Sequence, residues 1–251
     1  IETIKQEITN EINEAVEILK HPETTSVNTA TELADVYKPY TPYAIEKQGP
    51  TAETRFIDAI HDGLKTAMRK YDNLVLMGQD IGDYGGVFKI TNGFVKAFGK
   101  ERVRNTPICE SAIVAAAYGL SINGMKAVVE MQFADFVSTG FNPIVNYLAK
   151  VHYRWQEHAD VVVRMPCGGG TQAGPFHSQS TEAWFTHVPG LKVVYPAFPG
   201  EAKGLLMASF NEPNPVLFFE HKAMYRTVRE EVKEGPQFIE LGKADVVHSG
   251  T

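Results

Sequence analysis

Three strings in this chain combine side chains that can move protons with backbone that can come close to a ligand. The first is Gly168-Gly169-Gly170-Thr171-Gln172-Ala173-Gly174-Pro175-Phe176-His177-Ser178-Gln179-Ser180, which follows the apolar run 161–165. Glycine lets backbone approach a ligand or adopt a positive φ. His177 is thereby placed past the carboxyl end of an expected strand, where open α/β sheets bind ligands. The second string is Asn105-Thr106-Pro107-Ile108-Cys109-Glu110-Ser111-Ala112-Ile113. It puts the carboxylate of Glu110 at the start of an Ala-rich helix, where an acid meets the helix dipole favourably. The apolar neighbours Ile108, Ile113 and Val114 predict burial, and a buried carboxyl group is suited to hold or share a proton. The third is Glu130-Met131-Gln132-Phe133-Ala134-Asp135-Phe136. Gln132 offers amide hydrogen bonds and Phe136 a flat apolar face. Taken singly, each string has a plain reading: a flexible loop, a first-turn acid, core packing. Together they would gather two proton-carrying groups, an amide and a flat apolar face.

The elements that must position these residues alternate. A helix is expected over 51–71, capped by Thr51, then a short strand at 74–77, a Gly-rich loop at 82–86 and a helix near 92–98. A strand at 102–104, a helix at 110–122, a strand at 127–131 and a mostly helical stretch at 134–151 follow. The remainder reads as a strand at 161–165, a helix at 178–187, a strand at 192–196, a helix at 200–210 and a last clear strand at 215–220. Strands that are apolar throughout and alternate with helices imply an α/β fold. Its mainly parallel sheet is covered by helices on both faces, in three layers. The segment 51–235 is the expected α/β domain.

Residues 1–20 place Ile4, Ile8, Ile12, Ala15, Val16 and Leu19 at helical spacing, an amphipathic helix that needs a partner surface and ends at His21-Pro22. Residues 22–50, with Pro22, Pro39, Pro42, Gly49 and Pro50, read as an irregular linker. Residues 1–50 hold four lysines against nine acids, so most of the net charge of −6 lies there. A near-neutral body with an acidic leader does not suggest nucleic-acid binding. No apolar run approaches the roughly 20 residues of a membrane span. The two cysteines, Cys109 and Cys167, have no metal-ligand spacing and indicate no disulfide framework, so the cytoplasm is the expected compartment. Residues 241–251 read as the opening of another strand, so 236–251 is expected to begin a further domain.

Asn105-Thr106-Pro107-Ile108-Cys109-Glu110, Gln132-Phe133-Ala134-Asp135-Phe136 and His177-Ser178-Gln179-Ser180 resemble, in this order, the beta subunit of the 2-oxo acid dehydrogenases. That subunit belongs to their thiamin-diphosphate-dependent, decarboxylating first component. The strings at 85–88, 189–196 and 202–206 match as well, and the resemblance covers roughly 51–229. It implies the thiamin-diphosphate-binding fold and a role for each residue. Glu110 matches the glutamate that protonates or hydrogen-bonds the pyrimidine of the cofactor and favours its imino tautomer. Phe136 matches the aromatic residue stacked on that ring, Gln132 lies near it, and the loop at 168–174 lines the same pocket. His177 matches the histidine beside the thiazolium, which stabilises substrate or intermediate and handles protons during acyl transfer to a lipoyl group.

The family's diphosphate–Mg²⁺ motif, Gly-Asp-Gly followed by Asn, is absent; the nearest string, Ile81-Gly82-Asp83-Tyr84, lacks the second glycine. In the family that motif belongs to the alpha subunit, which holds the Mg²⁺, and no metal ligand is expected in this chain. Residues 1–50 resemble the tail of such an alpha subunit. The resemblance therefore implies a piece of a fused alpha–beta polypeptide. Its partners would be an alpha part, a second copy of the beta domain and a lipoyl acyltransferase core. Branched-chain 2-oxoisovalerate is the favoured substrate and pyruvate the alternative. A transketolase-like enzyme and a non-catalytic assembly module are the other readings.

Overall fold

A computed structural model describes residues 1–21, 27–42 and 49–250. The chain divides into two units, Ile1–Val36 and Tyr37–Thr251. In the first, helix α1 (Glu2–Ile18) leaves Ile4, Ile8, Ile12 and Val16 exposed along one face. Pro22, expected to end this helix, lies outside the described residues. Helix α2 (Thr29–Ala34) interrupts the expected linker because the Asn28 side chain accepts from the amides of Ala30 and Thr31, at 2.9 and 3.4 Å. That cap satisfies two of the amides that a helix start leaves without partners. Among the described residues no helix is long and apolar enough to cross a membrane.

The second unit is built on a six-stranded parallel sheet. Its strands are β2 (Leu74–Gly78), β3 (Val103–Asn105), β4 (Lys126–Glu130), β5 (Val161–Cys167), β6 (Lys192–Val194) and β7 (Val216–His221). Their spatial order is β3-β2-β4-β5-β7-β6. One face packs Leu74, Leu76, Val128, Val162 and Phe218 against helices α3 (Phe56–Lys70) and α7 (Pro199–Ser209). The other packs Val75, Met77, Val129, Val163 and Leu217 against α5 (Glu110–Ile122) and the segment 134–151. Burial on both faces is why these strands carry no polar alternation. The chain steps outward from β2 to β3, through α4 (Phe94–Phe98), then returns through α5 to β4 on the other side of β2. The strand order therefore reverses between β2 and β4, the place where such sheets open a crevice.

Five expectations need correction. The helix expected from Thr51 begins at Phe56, because 51–55 form strand β1 (Thr51–Arg55), antiparallel to β8 (Arg229–Lys233). Both strands are polar and charged, so neither shows an apolar signal. The helix expected at 134–151 is broken into a 3-10 turn (Ala134–Ser138), a π turn (Pro143–Tyr147) and another 3-10 turn (Leu148–Lys150), before α6 (Val151–Trp155). Gly140 and Pro143 interrupt it, and proline supplies no amide to a helical ladder. The helix expected at 178–187 is a single 3-10 turn, Glu182–Trp184. The amides of Ser178 and Gln179 are bound by a side chain from another segment and do not start a helix. Residues 241–250 form no strand, and Val246 and Val247 are exposed. The Ala- and Gly-rich composition of α5 reads as core with no solvent face, yet Ser111, Ala112, Ala115, Ala116 and Ile122 are exposed.

An ion cluster is buried within the sheet. Arg164 on β5 donates from Nε and Nη2 to the two carboxylate oxygens of Glu220 on β7, at 2.7 and 2.8 Å. Its Nη1 donates to Glu130 on β4 at 2.6 Å. The Tyr225 hydroxyl, on α8 (Met224–Thr227), donates to Glu220 at 2.7 Å. Arg164 and Glu220 are wholly inaccessible. Burial pushes the Glu130 carboxyl above the ordinary range, against the pull of Arg164. Burial works to lower the Arg164 guanidinium, but the two carboxylates outweigh it and hold it protonated. Three neighbouring strands are thus tied side chain to side chain.

Candidate active site

Because the sheet is parallel, the residues that follow β2, β3, β4, β5 and β7 gather at one end of it. Glu110 opens α5 and is 7% exposed. Gln79, directly after β2, donates to its Oε1 at 3.0 Å, and the Thr139 hydroxyl, whose one hydrogen is shared between the Phe136 carbonyl at 2.9 Å and Glu110, lies 3.2 Å from its Oε2. The carboxyl group is therefore oriented by two side chains from different segments. The apolar surroundings expected for it hold for Ile113 and Val114, but Ile108 is 84% exposed and shields nothing.

Gln132 follows β4, and its Nε2 donates to Asp80 at 3.0 Å. Asp80 holds a positive φ of 58°, which a residue other than glycine adopts at a cost, and such outliers gather at functional sites. Its carbonyl accepts from the Gly86 amide at 2.8 Å, closing the Gly-rich turn after β2.

Phe136 and His177 are in contact, with centroids 5.5 Å apart and planes at 82°. Phe133 stands 4.8 Å from His177 at 86° and 5.7 Å from Phe136. The imidazole is thus met edge to face by two rings from one short turn. Its Nδ1 is buried and has no hydrogen-bond partner among the described residues. The loop before it is exposed from Gly170 to Phe176. The loop begins at Gly168, whose φ is +76°; a Cβ there would lie 2.5 Å from His221 Nε2. Only glycine fits that position without displacing the histidine.

The segment Phe133–Thr139 joins the predicted residues. Thr139 holds Glu110, Phe133 and Phe136 flank His177, and Asp135 Oδ1 accepts from the amides of Ser178 and Gln179, both at 3.1 Å. Lys222, after β7, donates to the Gly168 carbonyl at 2.6 Å and stands 5.2 Å from the centroid of Phe133. Burial lowers its ammonium from the ordinary lysine value. On the same strand end, Cys167 lies 3.1 Å from the Tyr195 hydroxyl, and burial pushes its thiol up to about 11, which makes it a poor nucleophile.

The fold therefore brings Glu110, Gln132, Phe136 and His177 to one end of one sheet. Gln79, Thr139, Asp135 and Lys222 were not foreseen. Gln79 and Lys222 carried a signal, since each directly follows a parallel strand. Asp135 lay inside a string already singled out, and Thr139 had no signal.

Comparison with known proteins gives a consistent picture. The family model of the transketolase pyrimidine-binding domain matches residues 52–228. The 2-oxoisovalerate dehydrogenase subunit beta of Bacillus subtilis (strain 168) is 45% identical over 199 residues, covering 78% of this chain and 60% of that protein. The mitochondrial 2-oxoisovalerate dehydrogenase subunit beta of Dictyostelium discoideum is 44% identical, covering 84% of this chain and 58% of that one. The pyruvate dehydrogenase E1 component subunit beta of Acholeplasma laidlawii is 44% identical, with coverages of 78% and 60%. The chain thus spans about three fifths of the length of these relatives. A solved split-gene transketolase, an inactive beta4 tetramer, superposes with a TM-score of 0.53 at 21% identity, over 66% of this chain and 50% of that one. At that identity the likeness speaks for the fold.

Proposed function

The chain belongs to the transketolase pyrimidine-binding domain family, and on that footing we propose that it is the beta part of a 2-oxo acid dehydrogenase decarboxylating component. The observation that carries this reading is the carboxyl group of Glu110. It is buried at the carboxyl end of a parallel sheet, gripped by Gln79 and Thr139, and linked through one turn to Phe136 and His177.

These residues fit the aminopyrimidine end of thiamin diphosphate. Glu110 offers a carboxyl group to a ring nitrogen, half-buried Phe136 offers a flat face, and Gln132 offers an amide. The Nδ1 of His177 has no competing hydrogen-bond partner among the described residues. When bound, the cofactor supplies the electron sink that decarboxylation of a 2-oxo acid requires. The chain's own tasks are narrower. Glu110 holds or releases a proton at its carboxyl oxygens, while Gln79 and Thr139 keep those oxygens aimed. Phe133 and Phe136 keep the His177 ring in one orientation, so that it can give or take a proton next to the substrate. The absence of a Gly-Asp-Gly string supports assigning the diphosphate and Mg²⁺ to an alpha part.

Further partners belong to the same reading. A second copy would cover the exposed side of α5. An apolar groove of about 650 Å³ opens there, with Ala116, Gly119, Leu120 and Met125 in its lining. The lipoyl acyltransferase core would accept the acyl group. Branched-chain 2-oxoisovalerate is the proposed substrate, on the strength of the 85–88 and 132–135 strings. Pyruvate is the other outcome of the assay, since relatives named for each substrate are equally similar.

The test is reconstitution with the alpha part and a panel of 2-oxoisovalerate and pyruvate. Glu110→Gln keeps the size and one acceptor but cannot carry the proton. It should lower turnover by about 10²–10⁴-fold. Unchanged turnover would remove Glu110 from the chemistry and favour the assembly-module reading.

A further inference from the structure

The His177 turn has few anchors of its own. Residues 170–176 are exposed, and locally the His177 amide, at 3.3 Å, and the Ser178 hydroxyl, at 2.8 Å, donate to the Gly174 carbonyl. Both local bonds end on the carbonyl of one exposed glycine with a φ of +79°. What ties the turn to the rigid sheet lies elsewhere. Asp135, 5% exposed, accepts the two amides that immediately follow His177, both on the same oxygen. Its neighbours in sequence, Phe133 and Phe136, are the rings that meet the imidazole. The far end of the loop is closed by Gly168 N donating to Gln179 O at 2.9 Å, with Gly168 O in turn held by Lys222.

We propose that Asp135 is the positioning residue for His177: its buried carboxylate locks the turn after the imidazole in the register at which the Phe133 and Phe136 rings can receive it. The physical case rests on three features. Two amides on one carboxylate oxygen are charge-assisted bonds, the stronger kind. They act on the two residues next to His177, so their loss moves the ring itself and not a distant part of the loop. And carboxylate and rings share one 3-10 turn, so Asp135 transmits to His177 the position of that turn, which also carries the hydroxyl that holds Glu110. Its second oxygen, Oδ2, is buried without a hydrogen-bond partner among the described residues.

The proposal rests on the reading of His177 as a proton carrier, and the experiment separates the two. Amide exchange is measured on this chain in wild type, Asp135→Ala and Asp135→Asn. Asp135→Ala should speed exchange at Ser178 and Gln179 by roughly ten- to hundredfold, the loss of a hydrogen bond to a charged group. Asp135→Asn, which keeps an oxygen where both bonds end, should retain most of the protection. Turnover is then measured in the reconstituted enzyme in a double-mutant cycle with His177→Ala. Asp135→Ala should lower kcat by about 10²-fold with His177 present, as a misplaced group does, and have little effect once His177 is gone. Asp135→Asn should restore kcat to within a few fold. Unchanged exchange in Asp135→Ala overturns the latch, whatever the reaction. An equal loss of kcat with and without His177 overturns the positioning role and makes Asp135 a structural residue. Faster exchange in Asp135→Ala, together with no 2-oxo acid turnover by the wild-type reconstituted enzyme, would sink the functional reading and leave the latch standing.

Discussion

Replacing Arg164 with methionine is the severest test of how this sheet is held together. The guanidinium is inaccessible and makes three charge-assisted bonds of 2.6–2.8 Å to two carboxylates on flanking strands. Methionine has a similar reach and no charge, so the packing changes little and the electrostatics change completely. Glu220 would keep only the Tyr225 hydroxyl, and Glu130 would lose the bond to Arg164. Breaking a buried ion pair from one side costs about 3–5 kcal/mol, because the surviving charge stays buried without compensation. That is a large part of the roughly 5–15 kcal/mol by which a native domain is stable. With a urea dependence of about 3 kcal/mol/M, the midpoint should fall by about 1–1.7 M. A companion variant removes the whole cluster: Arg164→Met with Glu130→Leu, Glu220→Leu and Tyr225→Phe. It should regain most of the lost stability, since apolar replacement of a complete buried pair is often neutral or better. Urea unfolding followed by tryptophan fluorescence and circular dichroism reads both. A midpoint within about 0.3 M of wild type for Arg164→Met, below about 1 kcal/mol on the same scale, would refute the view that the cluster is electrostatically essential.

Other outcomes follow from the same geometry. Burial raises the Glu130 carboxyl, so its contribution to stability is fully present below the unfolded carboxylate value and is lost as pH rises through the folded one. The stability of wild type relative to Glu130→Gln should therefore decline as pH rises above the ordinary carboxylate range, and a constant difference would contradict the shift. Gly168→Ala should destabilise the chain by about 1 kcal/mol or more from its positive φ alone. It should also displace His221, which nitrogen chemical shifts of the imidazole would report; an unmoved His221 would mean that the backbone there is freer than it looks. Calorimetry of this chain with Mg²⁺ and thiamin diphosphate should show no micromolar binding, because the residues that fit the cofactor reach only its pyrimidine end. A clear micromolar isotherm would contradict the split assignment.

The parts legible in the sequence were those governed by local physics. Helix α5 was expected at 110–122 and runs Glu110–Ile122, because an acid at its start and Asn123-Gly124 at its end are local signals. The apolar strands β2, β4, β5 and β7 were expected within a residue or two, because a strand buried on both faces has to be apolar whichever neighbour it finds. Their alternation with helices implied a parallel sheet, and with it that Glu110, Gln132 and His177 would come to its carboxyl end. What the sequence left open was decided by contacts between distant segments. Thr51 had the chemistry of a helix cap, yet its segment pairs with Arg229–Lys233, and the ladder of backbone hydrogen bonds outweighs a single cap. Ser178 looked like a helix start, but Asp135, 43 residues earlier, takes its amide. The grip on Glu110 comes from Gln79 and Thr139, 31 and 29 residues away on either side. Residue type and spacing could say which groups might do chemistry. Their orientation depends on side chains that only the closed sheet brings within hydrogen-bonding distance, and a bond of about 3 Å between segments tens of residues apart leaves no periodic trace in the chain.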